Sequence, residues 1–404
     1  MTSTTQNKYV FYTGELSLEP NTAHEIHDVL CANAAANLGF SSVLVYHNKN
    51  ASIFNPNWFL NPFQPQQPNE KFVDFYNPEE HLKVLPLPMP YPIDRIQGKF
   101  TSSNTIATKY YLPFHLHRHT KIVHTRDWNF AKASVKNRIP VIFEKHHFQS
   151  TPFESEIVKS PYLQIVITQS EPVRQSLIQY GMPPEKVVWQ YNGFEQSFLD
   201  RQPQEAETWR QQLLTDGRKI LIVYSGALYT FKGIDLLIDV AAQLPHIQFA
   251  VTGGKESQVE AYQQIAKQKN VQNINFLGWV MPRKRLVSLF QAADLLAHPH
   301  LSGKEADFTN PVKFFQYMAS GTPIVVTEIL PLIPFKDSPL IATWCEPDNP
   351  QKFAQSILYA LEKYPRKIEG YTDSINYARQ FSWESRILKI LNYVEEPMRP
   401  KIMN

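Results

Sequence analysis

Two lysines stand where a backbone turn would bring a phosphate to the start of a helix. The segment 225–233 is a small turn that contains Gly226 and ends with Lys232, just before an amphipathic stretch. Further along, Lys313 and Gln316 lie three residues apart and therefore share one face of a predicted helix. Helix N-termini attract anions, and a lysine adds a point charge there. The turn that ends with Lys232 therefore suits phosphate binding, although a solvated lysine beside a helix cap is the simpler alternative for Lys232.

Histidines and charged residues mark the ends of apolar runs in the first half of the chain. Those that could do chemistry are His27, Arg126, Asp127 and His146. The alternating histidines at 115, 117 and 119 could suggest chelation, but they flank Arg118 and lie outside any cysteine or carboxylate cluster. A solvated loop is therefore the preferred interpretation, and we expect no metal site.

Composition excludes several classes of protein. The 404 residues carry 40 basic and 37 acidic side chains, a balance unlike that of a dedicated nucleic-acid binder. A 43% hydrophobic content excludes a disordered chain. Cys31 and Cys345 show no Cys-x-x-Cys spacing, which argues against a disulfide framework or a structural zinc. With no signal segment and no apolar run of ~18 residues, we expect a cytoplasmic protein, and peripheral contact with the inner face of the membrane remains open.

Strands and helices alternate in both halves, which predicts two doubly wound α/β domains. The predicted strands of the first half are 8–12, 41–46, 121–125, 140–144, 164–168 and 186–190, with a helix over 22–38. Those of the second half are 220–224, 247–252, 274–277, 295–298 and 323–326, with helices over 234–244, 256–268, 283–292 and 312–320. The aromatic-rich segment 47–112 breaks the alternation and is interpreted as a structured insertion. The Gln-rich segment 201–215 is the predicted linker.

Three ordered motifs in the second half resemble the retaining nucleotide-sugar glycosyltransferases of family four. They are Gly226-Ala227-Leu228 with Lys232-Gly233, then Phe276-Leu277-Gly278, then the stretch from Pro311 to Pro323. Asn192-Gly193 and Phe381-Ser382-Trp383-Glu384 also match. The resemblance implies the GT-B fold, in which two Rossmann-like domains face each other across a cleft. It implies an acceptor-side domain over 1–196, a donor-binding domain over 197–382, and a final helix over about 383–404 that crosses back.

The resemblance also implies roles for individual residues. Lys232 and Lys313 would stabilise the departing diphosphate, and His146 would orient the sugar, which makes these three the expected catalytic residues. The implied donor-binding residues are Gly226, Lys232, Gly278, Val280, Thr309, Asn310, Lys313 and Gln316. On the acceptor side, the implied residues are His27, Arg126 and Asp127.

The sequence departs from the family's pattern in two features. Ala227 stands where the family commonly has an arginine, and Phe308 and Gln316 replace its paired glutamates. An amide still hydrogen-bonds a ribose, but it lacks the stronger charged acceptor. Glu305 or Asp307 would then be candidates for contacting the sugar.

The implied activity is transfer of a sugar from a nucleotide diphospho-sugar to a glycan or lipid-linked acceptor. Retention of configuration, no metal or cofactor, and a role in surface polysaccharide or glycoconjugate biosynthesis are expected with it. The alternative is a catalytically silent nucleotide-sugar-binding or scaffold subunit. Residues 109–147 hold eight Lys or Arg against two acidic residues, which indicates either a solvated face or a surface for an anionic acceptor or membrane. A nicotinamide dehydrogenase is disfavoured because no Gly-x-Gly-x-x-Gly follows a strand.

Overall fold

The structure is a computed structural model that describes residues 7–17, 23–48, 63–89, 101–307 and 312–403. The chain divides into two compact units, one formed by residues 1–191 with 386–404 and the other by Asn192–Ser385. The boundaries predicted from the sequence were 196/197 and 382/383. Within the described residues, no helix is long and apolar enough to cross a membrane. Cys31 and Cys345 are both buried and unpaired.

The first unit is built on a parallel sheet of seven strands. They are β1 (Lys8–Tyr12), β2 (Ser42–Asn48), β3 (Lys83–Pro88), β4 (Thr120–Thr125), β5 (Val141–Glu144), β6 (Leu163–Thr168) and β7 (Val187–Trp189), in the order β3-β2-β1-β4-β5-β6-β7. Its helices are α1 (Ala23–Asn37), α2 (Glu70–Tyr76), α3 (Ser103–Ile106), α4 (Trp128–Lys136), α5 (Ser155–Val158) and α6 (Glu171–Gln179). A π-helix over Ala107–Leu116 follows α3. The central strands are mostly buried and largely apolar because parallel sheets are covered on both faces.

The segment predicted as an insertion contributes a strand to this sheet. Residues Lys83–Pro88 form β3, which pairs with β2 at the edge. Pro86 and Pro88 hid the strand from sequence reasoning, because proline cannot donate to a ladder. At an edge only one side of the strand needs partners, so both prolines fit. Residues 49–62 and 90–100 of the predicted insertion lie outside the described residues.

The second unit has a parallel sheet of six strands. They are β8 (Leu221–Ser225), β9 (Gln248–Thr252), β10 (Ile274–Gly278), β11 (Leu295–His298), β12 (Ile324–Thr327) and β13 (Ala342–Cys345), in the order β10-β9-β8-β11-β12-β13. Its helices are α7 (Pro203–Leu213), α8 (Ile234–Gln243), α9 (Glu256–Gln268), α10 (Arg285–Ala292), α11 (Lys304–Asp307), α12 (Val312–Ser320), α13 (Pro350–Lys363) and α14 (Thr372–Ala378). Because all strands are parallel, the loops after β8, β10 and β11 emerge at one edge of the sheet.

Three predictions about local structure in this part of the chain are wrong. Segment 201–215 is no linker, because α7 packs on α10 and Trp209 Nε1 donates to Ser288 Oγ at 3.2 Å. The edge strand β13 was missed because it has only four residues, two of them partly exposed. The last helix, α15 (Trp383–Asn392), is shorter than the predicted 383–404, because Pro397 and Pro400 follow it.

Candidate active site

The lysine turn after β8 is fixed by close backbone packing. Gly233 has φ +73°, and a Cβ there would lie 1.9 Å from the carbonyl oxygen of Pro299, so only glycine fits. This contact seats the turn against the segment that follows β11. Gly226 donates its N–H to the carbonyl of Thr252 at 3.0 Å. The predicted phosphate residues Gly226 and Lys232 are thereby held at the carboxyl edge of the sheet.

Lys232 is a partly buried cation at the end of this turn. Its Nζ lies 4.6 Å from the centroid of the Phe231 ring. Burial lowers the pKa of Lys232 to about 7. Among the described residues no carboxylate pairs with it, so its charge is left for an anion from outside the protein.

Lys313 and Gln316, one turn apart on α12, lie beside a carboxylate from another segment. Gln316 is fully buried, and its Nε2 donates to Glu195 Oε2 at 2.7 Å. The other oxygen of Glu195 pairs with the Arg283 guanidinium. The second departure from the family pattern therefore has a local reason: a glutamate at 316 would meet the charge of Glu195.

Burial and neighbouring charges shift the pKa values of Lys313 and Glu195. Burial lowers the pKa of Lys313 to about 7, with the Arg283 charge acting in the same direction and Glu195 opposing. Burial would raise the pKa of Glu195, but Arg283 and the hydrogen bond from Gln316 outweigh it and the net shift is downward. Glu195 and Arg283 were not predicted as site residues, although Glu195 follows directly on the Asn-Gly-Phe segment.

Of the other residues predicted to bind the donor, the structure describes Gly278 and Val280. Gly278 ends β10 with φ +61°, and its carbonyl accepts from Gly253 N at 2.7 Å and from Thr252 Oγ1 at 2.8 Å. Val280 is buried just after it. Thr309 and Asn310, together with Phe308, lie outside the described residues.

Two histidines that sequence reasoning missed lie next to the lysine turn. His298 ends β11 and His300 follows one residue later, with their ring centroids 3.8 Å apart. Both are buried, and burial together with the Lys232 charge lowers the pKa of His298 to about 3. The signal was present, because His-Pro-His directly after an apolar run places two imidazoles at a strand end.

In the first unit, the predicted His146 and His27 meet on one buried carboxylate. Glu144 Oε1 lies 2.6 Å from His146 Nε2 and 3.1 Å from His27 Nε2, and Glu144 Oε2 lies 2.9 Å from His124 Nε2. The Arg386 guanidinium also pairs with Glu144 Oε1. Burial would raise the pKa of Glu144, but Arg386 and the histidines hold it well below its usual range.

The histidines around Glu144 titrate in opposite directions. Burial and the Arg126 charge hold the pKa of His146 well below its usual range, against the pull of Glu144. Burial would also lower the pKa of His27, but Cys31 and Glu144 outweigh it and raise it well above the ordinary value. The network therefore holds a neutral imidazole at 146 beside a charged one at 27.

Arg126 and Asp127 are placed differently from one another. Arg126 lies close enough to His146 for its charge to act on that imidazole. Asp127 is the N-cap of α4 and accepts from Phe130 N at 2.8 Å and from Asn104 Nδ2. Burial raises the pKa of Asp127, with these hydrogen bonds opposing the shift. Capping is thus a structural task that Asp127 performs whatever else it contacts.

A metal ion fits the Glu144 network poorly. His27, Glu144 and His146 each place one ligand atom within 4.8 Å of the others. The Arg386 guanidinium, however, already occupies the carboxylate oxygen that both imidazoles share. A cation there would have to displace a buried guanidinium, so the donor set suits a charge network better. The alternating histidines at 115, 117 and 119 belong to no such cluster within the described residues.

Comparison with known proteins agrees with this geometry. Residues 205–381, all within the second unit, match the family described as glycosyl transferases group 1. This match covers 177 of the chain's 404 residues. The fold of the chain is of the GT-B class with two Rossmann-like units, as predicted.

Relatives and solved structures show what the chain is similar to. It is 24% identical to a D-inositol 3-phosphate glycosyltransferase of Corynebacterium aurimucosum over 62% of this chain and 60% of that protein. Among solved structures, Anabaena HepE in complex with UDP-glucose has a TM-score of 0.65 at 18% identity, covering 96% of this chain and 98% of that one. WaaG, a glycosyltransferase involved in lipopolysaccharide biosynthesis, has a TM-score of 0.58 at 13% identity, covering 96% of this chain and 100% of that one. The match to the curated C. aurimucosum relative thus spans less than two thirds of that protein's length.

Proposed function

We propose that this chain transfers a sugar from a nucleotide diphospho-sugar to a glycan acceptor, with retention of configuration. The observation that carries the proposal is Lys232, a partly buried ammonium with no carboxylate partner among the described residues, seated at the carboxyl edge of a parallel sheet. A diphosphate supplies the missing negative charge at that position. The match of residues 205–381 to glycosyl transferases group 1 supports the same activity.

The lysines act on the leaving group. As the bond between the sugar and the diphosphate breaks, negative charge grows on the departing oxygen, and Lys232 and Lys313 stabilise it there. Both amines have pKa values of about 7 in the free protein, and a bound diphosphate restores their protonated forms. The lysines supply the positive charge, so the proposed reaction requires no metal ion and no other cofactor.

The first unit contributes the acceptor side in this proposal. His146, held by Glu144, orients the transferred sugar with a neutral imidazole. His27, Arg126 and Asp127 are the proposed contacts for the acceptor. Asp127 already accepts a hydrogen bond as the N-cap of α4. Only its remaining carboxylate lone pairs are therefore open to an acceptor hydroxyl.

Uridine is the base we propose first for the donor. HepE, which shares the fold over 96% of this chain, was solved with UDP-glucose. The backbone from Gly278 to Val280, at the end of β10, is the proposed contact for the base.

We further propose an anionic, lipid-linked acceptor and peripheral contact with the inner face of the membrane. The support is the π-helix Ala107–Leu116, which exposes 66% of Phe114 and 46% of Tyr110. The basic stretch 109–147 includes this helix, so exposed rings stand next to positive charge. Synthesis of a surface polysaccharide or glycoconjugate would place such an acceptor at a membrane, and WaaG is similar in fold.

The experiment measures nucleotide release from UDP-, GDP- and ADP-sugars by the purified chain, without acceptor and with lipid-linked glycans. We expect slow release from one donor that speeds up with an acceptor and falls at least ~100-fold in Lys232→Met. Lys267→Met, an exposed lysine on α9, is the matched control and should keep full activity.

Two results would overturn the proposal in different ways. Tight binding of a donor with no turnover under any condition would favour the catalytically silent subunit, the alternative to which Ala227 points. Absence of binding by every donor would contradict the donor site itself.

A further inference from the structure

His298 and His300 are buried residues with ring nitrogens that lack hydrogen bonds. His298 is 2% exposed and His300 3% exposed. Both ring nitrogens of His298 and Nδ1 of His300 are closed to solvent and make no hydrogen bond within the part of the chain that the structure describes. Native proteins pair nearly all such atoms, because an unpaired buried donor or acceptor is costly. Three ring nitrogens on two touching rings therefore lack a partner among the described residues, which points to a bound ligand as their partner.

The pair stands directly beside the lysine turn. Gly233 packs on Pro299, which separates the two histidines, and Leu301 donates its N–H to the carbonyl of Phe231 at 2.9 Å. The Phe231 ring meets the His300 ring edge-on, with centroids 6.0 Å apart. Lys232 is close enough for its charge to act on both imidazoles. A group bound to the histidines would thus lie next to an anion bound to Lys232.

The chemistry of the pair selects the kind of group it binds. A neutral imidazole has one donor N–H and one acceptor nitrogen, so the group that it binds must accept one hydrogen bond and donate another. Phosphate oxygens that carry no proton only accept, and a metal cation is repelled by the Lys232 ammonium. A hydroxyl group both donates and accepts. The ligand of the two histidines therefore carries hydroxyl groups close to a phosphate, as the sugar of a nucleotide diphospho-sugar does.

We propose that His298 and His300 form the subsite that binds hydroxyl groups of the transferred sugar. This inference rests on the proposed function and names the part of the donor that the pair contacts. Because the nitrogens are shielded from solvent, sugar binding requires a neighbouring side chain to move, and the partly exposed Phe231 ring, which meets the His300 ring edge-on, is the candidate. Glu305, considered from the sequence for the same contact, is exposed on the short helix α11.

The test compares a sugar nucleotide with the bare nucleotide. Isothermal titration calorimetry measures the Kd of UDP-glucose and of UDP, or of whichever pair the donor screen identifies, for wild type, His298→Leu and His300→Phe. We expect sugar-nucleotide affinity to fall about tenfold in each variant, while nucleotide affinity changes less than about twofold. His298→Gln keeps one donor and one acceptor and should retain most of the affinity. His246→Leu, at an exposed position of the same unit, should change neither Kd.

A measurement on the wild-type protein tests the same claim without relying on variants that could misfold. In wild type labelled with ¹⁵N-histidine, the sugar nucleotide should shift the ring resonances of His298 and His300, whereas the bare nucleotide should leave them nearly unmoved. Equal losses for both ligands, or unmoved resonances on adding the sugar nucleotide, would overturn the subsite while leaving the proposed function intact. If neither ligand binds wild type, the proposed function fails instead.

Discussion

The two units use histidine in opposite ways. In the first unit, the Glu144 carboxylate contacts three histidines and pairs with the Arg386 guanidinium; the histidines are His27, His124 and His146. In the second unit, His298 and His300 touch each other, and three of their ring nitrogens are shielded from solvent and make no hydrogen bond among the described residues. Both clusters are buried at the end of a parallel strand, so residue type and burial do not distinguish them.

The difference lies in whether the protein satisfies its own polar groups. A satisfied network holds its members in one arrangement and stabilises the fold. Buried polar groups without hydrogen bonds raise the free energy of the protein when no ligand is bound. A ligand that supplies the missing partners lowers that free energy. We therefore expect substitutions in the two clusters to have opposite effects on the free energy of unfolding.

The largest effect should come from Glu144→Ala. Removing this carboxylate takes away the buried negative charge that the Arg386 guanidinium and His27 share, which costs about 3–5 kcal/mol of unfolding free energy. Urea denaturation measures the loss. Glu154→Ala breaks an exposed ion pair with Lys132 and should cost less than ~1 kcal/mol. Equal losses in the two variants would show that the Glu144 network does not hold the first unit together.

A smaller loss is expected for Gln316→Glu. The new carboxylate would face Glu195, and the repulsion of two partly buried like charges should cost about 1–2 kcal/mol at pH 8. Such a pair raises the pKa of one carboxyl group, so the loss should shrink as the pH falls and that group takes up a proton. Glu195→Gln in the same chain should restore stability. If the double variant is as unstable as the single one, the contact between Gln316 and Glu195 is not the cause.

Lys232→Met should stabilise the ligand-free protein by about 1 kcal/mol while removing donor binding. The native pKa of Lys232 is about 7, below the ordinary value of 10.5, so burial of the ammonium costs most below pH 7. Above pH 7 the native lysine loses its proton before the unfolded one does, and wild-type stability rises toward that of the variant up to about pH 10.5. Thermal unfolding from pH 6 to 10 measures this, with Lys267→Met as the control. A destabilised Lys232→Met variant would contradict the picture of an unpaired cation.

The smallest effect on stability should come from Phe114→Ser on the exposed face of the π-helix. It should change the unfolding free energy by less than ~0.5 kcal/mol, because the ring contributes little to the core. If the membrane proposal holds, binding to vesicles that contain anionic lipid should weaken several-fold in co-sedimentation. Leu358→Ser, at an exposed position of α13, should leave vesicle binding unchanged. Equal binding by wild type and Phe114→Ser would exclude this helix as the contact.

Sequence patterns predicted the fold where a strand or helix carries its own signal. The apolar runs that became β8, β9, β11 and β12 were found because parallel strands buried on both faces are continuous in hydrophobicity. Of the edge strands, β10 was found, but β3 and β13 were missed because prolines in β3 and partial exposure in a β13 of only four residues weaken the pattern. The polar helix α7 was taken for a linker, because Trp209 and Leu213 are isolated among glutamines and the face they bury becomes evident only against α10.

The candidate site was predicted unevenly for a similar reason. Lys232, Lys313 and Gln316 belong to local motifs, and the resemblance of those motifs to a family named them as candidates. The partner of Gln316 is Glu195, 121 residues away in the chain, and no local pattern joins them. The unpaired state of His298 and His300 is a statement about missing contacts, which only a three-dimensional structure can make.

Hydrogen exchange with and without UDP-glucose, or the donor that the screen selects, tests most directly the claim that the second unit binds the donor. Amides of the loops after β8, β10 and β11 and of the first turn of α12 should exchange more slowly in the bound state, because the ligand orders these segments. Lys232→Met should abolish that protection, and Lys267→Met should preserve it. Protection confined to the first unit by a donor that binds would contradict the account.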